Sequence, residues 1–179
     1  MNAVAESRVL RRGALREERS FASAAEEHLD DVFAYLLYVT GDHSVAEDLT
    51  GETFERALRK WRSFDPRRAS PRTWLCQIAR STALDHFRAE RRRRRREELA
   101  AREREESDAS FGEGLSPALE RGLRRLSAGE REVIALRVIL ELDPESAARL
   151  LGISKTACTT RLSRALQKLE AMVGGEVGA

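Results

Sequence analysis

All four prolines in this chain directly follow a serine or an aspartate, and three of these pairs, Ser70-Pro71, Ser116-Pro117 and Asp143-Pro144, stand ahead of an apolar helical pattern. That pairing suits the start of a helix. The short side-chain oxygen accepts one of the orphaned first-turn amides, and proline brings no amide of its own to orphan. Apolar residues at helical spacing follow each pair. After Pro71 come Trp74, Leu75, Ile78, Ala79 and Phe87; after Pro117 come Leu119, Leu123 and Leu126. Strand signals are nearly absent, since no segment alternates for more than a few residues. The expected fold class is all-α.

The other helices are read in the same way. Residues 24–39 carry Leu29, Val32, Phe33, Leu36, Leu37 and Tyr38 on one period and stop at Gly41. Ser44 with Glu47 reads as a capping box opening a second helix. This helix passes through Leu49, Phe54, Leu58 and Trp61 and ends near Phe64-Asp65-Pro66. The third helix, from Ser70-Pro71, continues into an arginine run. Ser127 and Glu130 form a second capping box, followed by Val133, Ile134, Leu136, Val138 and Ile139. Gly152 supplies a left-handed turn, and Ser154 caps a last helix whose apolar face is Ala157, Cys158, Leu162, Ala165, Leu166 and Leu169.

Charge divides the chain. Net charge is only +2 with 35% charged residues, but the distribution is uneven. Residues 28–90 hold 9 basic and 10 acidic side chains, residues 91–96 are six arginines, and residues 97–116 hold 2 basic and 7 acidic groups. Such blocks rarely pack, so 91–116 reads as a helix end plus a solvated linker. The expected organisation is two small helical domains joined by a flexible linker. Its parts are an extension (1–23), a first domain (24–92), a linker (93–115), a second domain (116–173) and a tail (174–179). Residues 1–23 allow either a disordered tail or a further helix.

Several function classes are disfavoured. Cys76 and Cys158 stand apart in separate helices, as small buried residues of a reducing compartment do. No apolar run approaches ~18 residues, and residues 1–23 lack the apolar core of a signal peptide, so no membrane insertion is expected and the protein reads as cytoplasmic. His28, His43 and His86 are scattered, and no Glu-x-x-His pair accompanies the acids. No nucleophile–base set and no phosphate-cradling glycine loop is present, so the chain is not expected to be an enzyme or to hold a metal or other cofactor.

The last third has the layout of a helix-turn-helix DNA reader, with 143–152 as supporting helix and 154–169 as recognition helix. Its exposed face is expected to carry Lys155, Thr156, Thr159, Thr160, Arg161, Ser163, Arg164 and Lys168. Early turns reach base edges, where arginine bonds guanine and threonine offers a hydroxyl and a methyl. Arg161, Lys168 and Arg149 are placed for phosphates. The alternative is an amphipathic surface helix of an ordinary bundle.

The stretch GDHSVAEDLTGETFERALRKWRSFDPRRASPRTWLCQIARSTALDHFRAERRR resembles region 2 of bacterial sigma factors of the extracytoplasmic-function group. AEDLTGETF, the spacing of Trp61 and Phe64, Trp74 to Arg80, and Asp85 with Arg88 carry the likeness. REV..LR at Arg131 to Arg137 and RLSRA at Arg161 to Ala165 resemble region 4 of the same family. The resemblance spans roughly residues 25–175 in the family's order. Four places depart from the family's pattern: Ser81 where asparagine is common, Ser146-Ala147-Ala148 in the supporting helix, Thr156-Ala157-Cys158 in the recognition helix, and Thr159-Thr160 where a basic residue and serine are common.

The resemblance implies a promoter-specificity subunit of RNA polymerase. Region 2 would bind the clamp helices of core polymerase and read and melt the −10 element of promoter DNA. Region 4 would read the −35 element and dock on the flap. An anti-sigma factor is a further partner that the family implies. Glu47, Asp48, Leu49, Glu52 and Phe54 are the candidate core-binding residues, an acidic patch with apolar contacts. Pairing of Glu52 and Glu55 with Arg56 and Arg59 along the helix is the structural alternative. For the −10 strand the candidates are Arg67, Arg68, Ser70, Arg72, Arg80, Ser81, Asp85 and Arg88. The loop 64–73 is expected to capture a flipped base. Trp61, Trp74 and Phe87 are possible stacking platforms, although their helical spacing favours the core. Two rival readings are a helix-turn-helix regulator that acts without polymerase and a metal-dependent hydrolase using Asp48, Glu52 and Asp85.

Overall fold

The structure, a computed structural model, describes residues 3–98, 111 and 115–174. Seven α-helices make up the described residues: α1 (Ala3–Thr40), α2 (His43–Lys60), α3 (Pro71–Glu98), α4 (Pro117–Arg125), α5 (Ala128–Ile134), α6 (Pro144–Leu151) and α7 (Lys155–Gly174). A 3₁₀ turn, Trp61–Ser63, follows α2, and a π-helical turn, Ala135–Ile139, extends α5. No described helix is long and apolar enough to cross a membrane.

Helices α1, α2 and α3 pack together as a first module. Val32, Tyr35, Leu36 and Val39 of α1 meet Ala46, Leu49, Thr53 and Ala57 of α2 and Leu75, Ala79 and Ala83 of α3. The inner face of α2 is built of small residues, which lets neighbouring helices approach closely. Its buried Thr50 and Thr53 hydroxyls donate to Ala46 O and Leu49 O, both at 2.7 Å, so no polar atom is stranded. Arg72, in the first turn of α3, reaches across to α1. Its Nε and Nη2 donate to the two Asp31 oxygens at 2.6 and 2.9 Å.

Helix starts follow the local chemistry, with two differences. Ser70, Ser116, Asp143 and Ser154 each accept a first-turn backbone amide, and Ser127 with Glu130 forms the reciprocal capping box. The second helix, however, is capped by Asp42, not by Ser44. Asp42 is extended (φ −139°, ψ 121°) and accepts from Val45 N–H at 3.0 Å. The chain emerges from Gly41 at φ +71°, and Asp42 is the first acceptor available after that turn. Ser44 therefore lies inside the first turn. The first helix also starts far earlier than residue 24, since α1 is continuous from Ala3.

The second module contains α4 to α7. Gly122 of α4 lies against α7 so closely that a Cβ there would meet Leu169 Cδ1 at 2.6 Å. Gly152 takes the left-handed turn between α6 and α7 at φ +67°. Cys158 and Ala165 of α7 are fully buried among Val133, Leu136 and Leu151, whereas Ala157 and Leu166, expected on this apolar face, are exposed.

The two modules are packed against one another. One buried cluster runs without a break from Val32 to Ala165. Residue 111 corrects the reading of 91–116 as wholly solvated. Phe111 is only 3% exposed, its ring lies beside Tyr38, and it covers Gly41, where a Cβ would come within 2.9 Å of it. Arg131 crosses the junction, its Nε and Nη2 donating to Tyr38 O and Val39 O at 3.1 Å each. A cation at the carbonyl end of α1 complements the helix dipole. Burial pulls the guanidinium below its ordinary pKa.

Candidate nucleic-acid interface

Helix α7 presents a polar face to solvent. Lys155, Thr156, Thr159, Thr160, Ser163, Arg164 and Lys168 are exposed, and Arg161 is half-buried. The register follows from Cys158, Leu162, Ala165 and Leu169, which turn inward or lie half-covered. Beside this face is an open cleft of about 820 Å³, lined by Ser154, Thr156, Ala157, Thr160, Arg161 and Arg164 from the reader and by Ser127, Gly129 and Glu130 from the start of α5. The α5 residues were not among the sequence candidates. The Ser-x-x-Glu box was their signal, because it places a helix start wherever α5 packs.

Two charges on this face are already organised. Lys168 Nζ donates to Glu130 at 3.1 Å. The Ser127 backbone amide, with the Ser127 hydroxyl and Lys168, holds Glu130 below the ordinary glutamate range. Arg149, a candidate for phosphate, pairs with Glu145 at 3.5 Å one turn away.

The second surface lies on α3 and the loop before it. Arg67, Arg68, Ser70, Ser81, Asp85 and Arg88 are exposed. Ser70 is the cap of α3, and Asp65 organises the loop by accepting from Arg67 N–H at 2.9 Å. Asp85 accepts from Arg56 Nη1 at 2.9 Å, which holds its carboxyl below the ordinary range. Arg56 also bridges to Glu52 at 2.5 Å, so two of the three carboxylates of the hydrolase reading, Glu52 and Asp85, share one guanidinium. Arg72 is half-buried, and Asp31 engages its guanidinium at two points. Arg80 Nε donates to Glu132 at 2.8 Å in this arrangement.

A smaller cleft, of about 290 Å³, opens between α2 and α3. Arg56, Lys60, Ser63, Trp74, Gln77, Ile78 and Ser81 line it. Of these, Ser81 is a −10 candidate and Trp74 one of the stacking candidates. Lys60 and Gln77 belong to it because α2 and α3 cross here, and neither carries a motif of its own. The tryptophans are not open platforms. Trp61 stacks on Phe64 at 4.9 Å and 16°, and Trp74 meets Trp61 at 5.7 Å and Phe64 at 5.3 Å. Phe21 closes the group against Trp61 at 5.4 Å. Beyond it, α3 runs on to Glu98 with residues 91–95 exposed, and Glu90 holds Arg94 at 2.9 Å.

The third surface is the outer face of α2. Glu47, Asp48, Glu52 and Glu55 are exposed there, and Phe54 is half-buried. Leu49 is corrected: at 4% exposure it belongs to the core and cannot meet a partner. Leu58, 51% exposed one turn beyond Glu55, is the apolar residue on that face. The helical pairs Glu52–Arg56 and Glu55–Arg59 both form, at 2.5 and 3.6 Å.

Residues 24–93 match the family described as Sigma-70 region 2, and residues 116–169 match Sigma-70, region 4. Among similar proteins, the ECF RNA polymerase sigma factor BldN of Streptomyces coelicolor is 35% identical over 86% of this chain, and the chain spans 60% of BldN's length. The ECF RNA polymerase sigma factor SigC of Mycobacterium tuberculosis is 32% identical over 86% of this chain and 82% of its own. Among solved structures, the sigma factor RpoE in complex with the anti-sigma factor NepR from Bartonella quintana superposes with a TM-score of 0.69. It is 25% identical and covers 87% of this chain and 98% of RpoE.

Proposed function

The chain belongs to the extracytoplasmic-function group of RNA polymerase sigma factors, and from that membership we propose that it binds core polymerase and directs it to a subset of promoters. The observation that carries this reading is the exposed basic face of α7, in a chain whose first module offers a separate acidic face and a separate basic one. Each face fits a different part of initiation.

The α7 face reads the −35 element. Thr156, Thr160 and Arg164 reach base edges from the cleft wall, and Lys155, Arg161 and Lys168 hold phosphates. The α2 face, with Glu47, Asp48, Glu52 and Leu58, docks on a basic coiled coil of core polymerase. Its charge steers encounter and Leu58 supplies buried apolar area. The α2–α3 cleft takes an unpaired −10 base, with Gln77 and Ser81 as hydrogen-bonding groups and Lys60 beside the backbone. Arg67, Arg68, Arg88 and the 91–95 arginines follow the strand, with an affinity that falls as salt rises. The chain does no covalent chemistry in this scheme: binding energy melts the duplex and recruits the enzyme.

Transcription in vitro with core polymerase and genomic DNA, with and without the chain, tests the proposal. New start sites and a stable complex with core are the expected result. Tight binding of the isolated chain to a palindromic duplex, without either effect, would favour a free-standing regulator.

A further inference from the structure

The cleft beside α7 holds a charge of the wrong sign for its proposed ligand. Arg161 and Arg164 line it, and so does an acid, Glu130. An anion there faces the side from which DNA phosphates approach. The helix start that Glu130 caps does not need the charge, because glutamine closes the same kind of box with serine. The carboxylate is therefore free to serve a second purpose.

Its contacts show which. Glu130 Oε2 accepts from the Ser127 amide at 2.7 Å and from the Ser127 hydroxyl at 2.8 Å, which fixes the carboxylate at the start of α5. Its two oxygens, Oε1 and Oε2, also accept from Lys168 Nζ at 3.3 and 3.1 Å, across 38 residues of sequence. Lys168 follows Arg164 by one turn and Thr160 by two, so the three share one side of α7. Among the described residues, Lys168 is the one cation of α7 with a carboxylate at ion-pair distance. Its side chain is 45% exposed and that of Glu130 22%, so the lysine can leave while the acid stays seated.

We infer that Glu130 sets the affinity of the −35 reader by standing in for a DNA phosphate: it holds Lys168 in the free chain and gives it up when the promoter backbone arrives. The inference rests on the −35 role proposed for α7. A lysine ammonium is a point charge with three donors, and either anion satisfies it. A contact to the backbone carries no sequence information. Glu130 therefore lowers affinity for every duplex alike and leaves base preference to Thr156, Thr160 and Arg164.

Fluorescence anisotropy on the full chain tests this with two labelled duplexes, a promoter recovered in the transcription assay above and a scrambled sequence of the same composition. Glu130→Gln is expected to bind both about fivefold tighter than the parent, as follows if the ion pair holds Lys168 about four-fifths of the time. Lys168→Ala is expected to bind both more weakly than the parent. Adding Glu130→Gln to Lys168→Ala should then change affinity by less than about twofold, since the acid has no lysine left to withhold. Far-UV circular dichroism should match in all four forms, because glutamine keeps the box closed. Equal affinities of the parent and Glu130→Gln overturn the inference. An undiminished gain in the Lys168→Ala background also overturns it, because the acid would then repel DNA directly. A gain on one duplex alone does the same, because Glu130 would then touch a base. If no form binds either duplex, the reading of α7 as a DNA reader fails, and the inference with it.

Discussion

Arg164 stands exposed on the wall of the α7 cleft, one turn beyond Thr160, where a guanidinium reaches a base edge in the major groove. Arg164→Ala is expected to weaken −35-dependent initiation by about 1–3 kcal/mol and to relax sequence preference there, as abortive-transcription assays on base-substituted promoters will read. Leu58 makes the complementary case on α2. Leu58→Glu should reduce affinity for core polymerase about tenfold or more, about 1.4 kcal/mol, with no fall in melting temperature, because the side chain is 51% exposed. Affinity measured by fluorescence titration, beside a thermal melt, checks both halves. Leu49 and Leu58 look alike in the sequence, and only their angular position on α2 separates core from surface. Arg72 is harder to read still. Its partner Asp31 lies 41 residues away, and nothing near either residue announces the pair.

At the scale of single helices, the chain follows its local chemistry closely. A cap is a contact over three residues, so Ser70, Ser116, Ser127, Asp143 and Ser154 could be read before any packing was known. Ser44–Glu47 failed because Asp42 competes for the same helix start and wins through the turn at Gly41. The Ser127–Glu130 box offers a test. Ser127→Ala should cost about 1 kcal/mol of stability in urea melts. Glu130 titrates below its ordinary range in the fold, so its contribution is fully present above that range and is lost as pH falls through the depressed value. The advantage of the parent over Glu130→Gln should therefore be complete near neutral pH and shrink to nothing in acid. An advantage that persists in acid would mean the carboxylate is not ionised in its box.

For the whole molecule, the continuous core from Val32 to Ala165 predicts that the modules unfold as one cooperative body. Both tryptophans, Trp61 and Trp74, lie in the first module, so their fluorescence reports on that module while circular dichroism reports on both. The two probes should give coincident thermal transitions in the parent. Phe111→Ala removes a buried ring at the junction, at a cost of about 3 kcal/mol or more, and should separate the two transitions. Coincident transitions in that variant would show that the junction does not depend on the ring.

Short-range chemistry sets the helical class, most helix starts, the turn at Gly152 and the inward face of α7 at Cys158 and Ala165. Caps, left-handed turns and helical periods act over at most a few turns, so neighbouring residues suffice to set them. Long-range packing alone buries Phe111, brings carboxylates to Arg72 and Arg80, sets Lys60 and Gln77 in one cleft with Ser81, and joins the modules through Glu132. Those contacts join residues that are distant in the chain. Whether a charged side chain faces DNA, a partner or its own fold depends on which opposite charge the packing brings beside it.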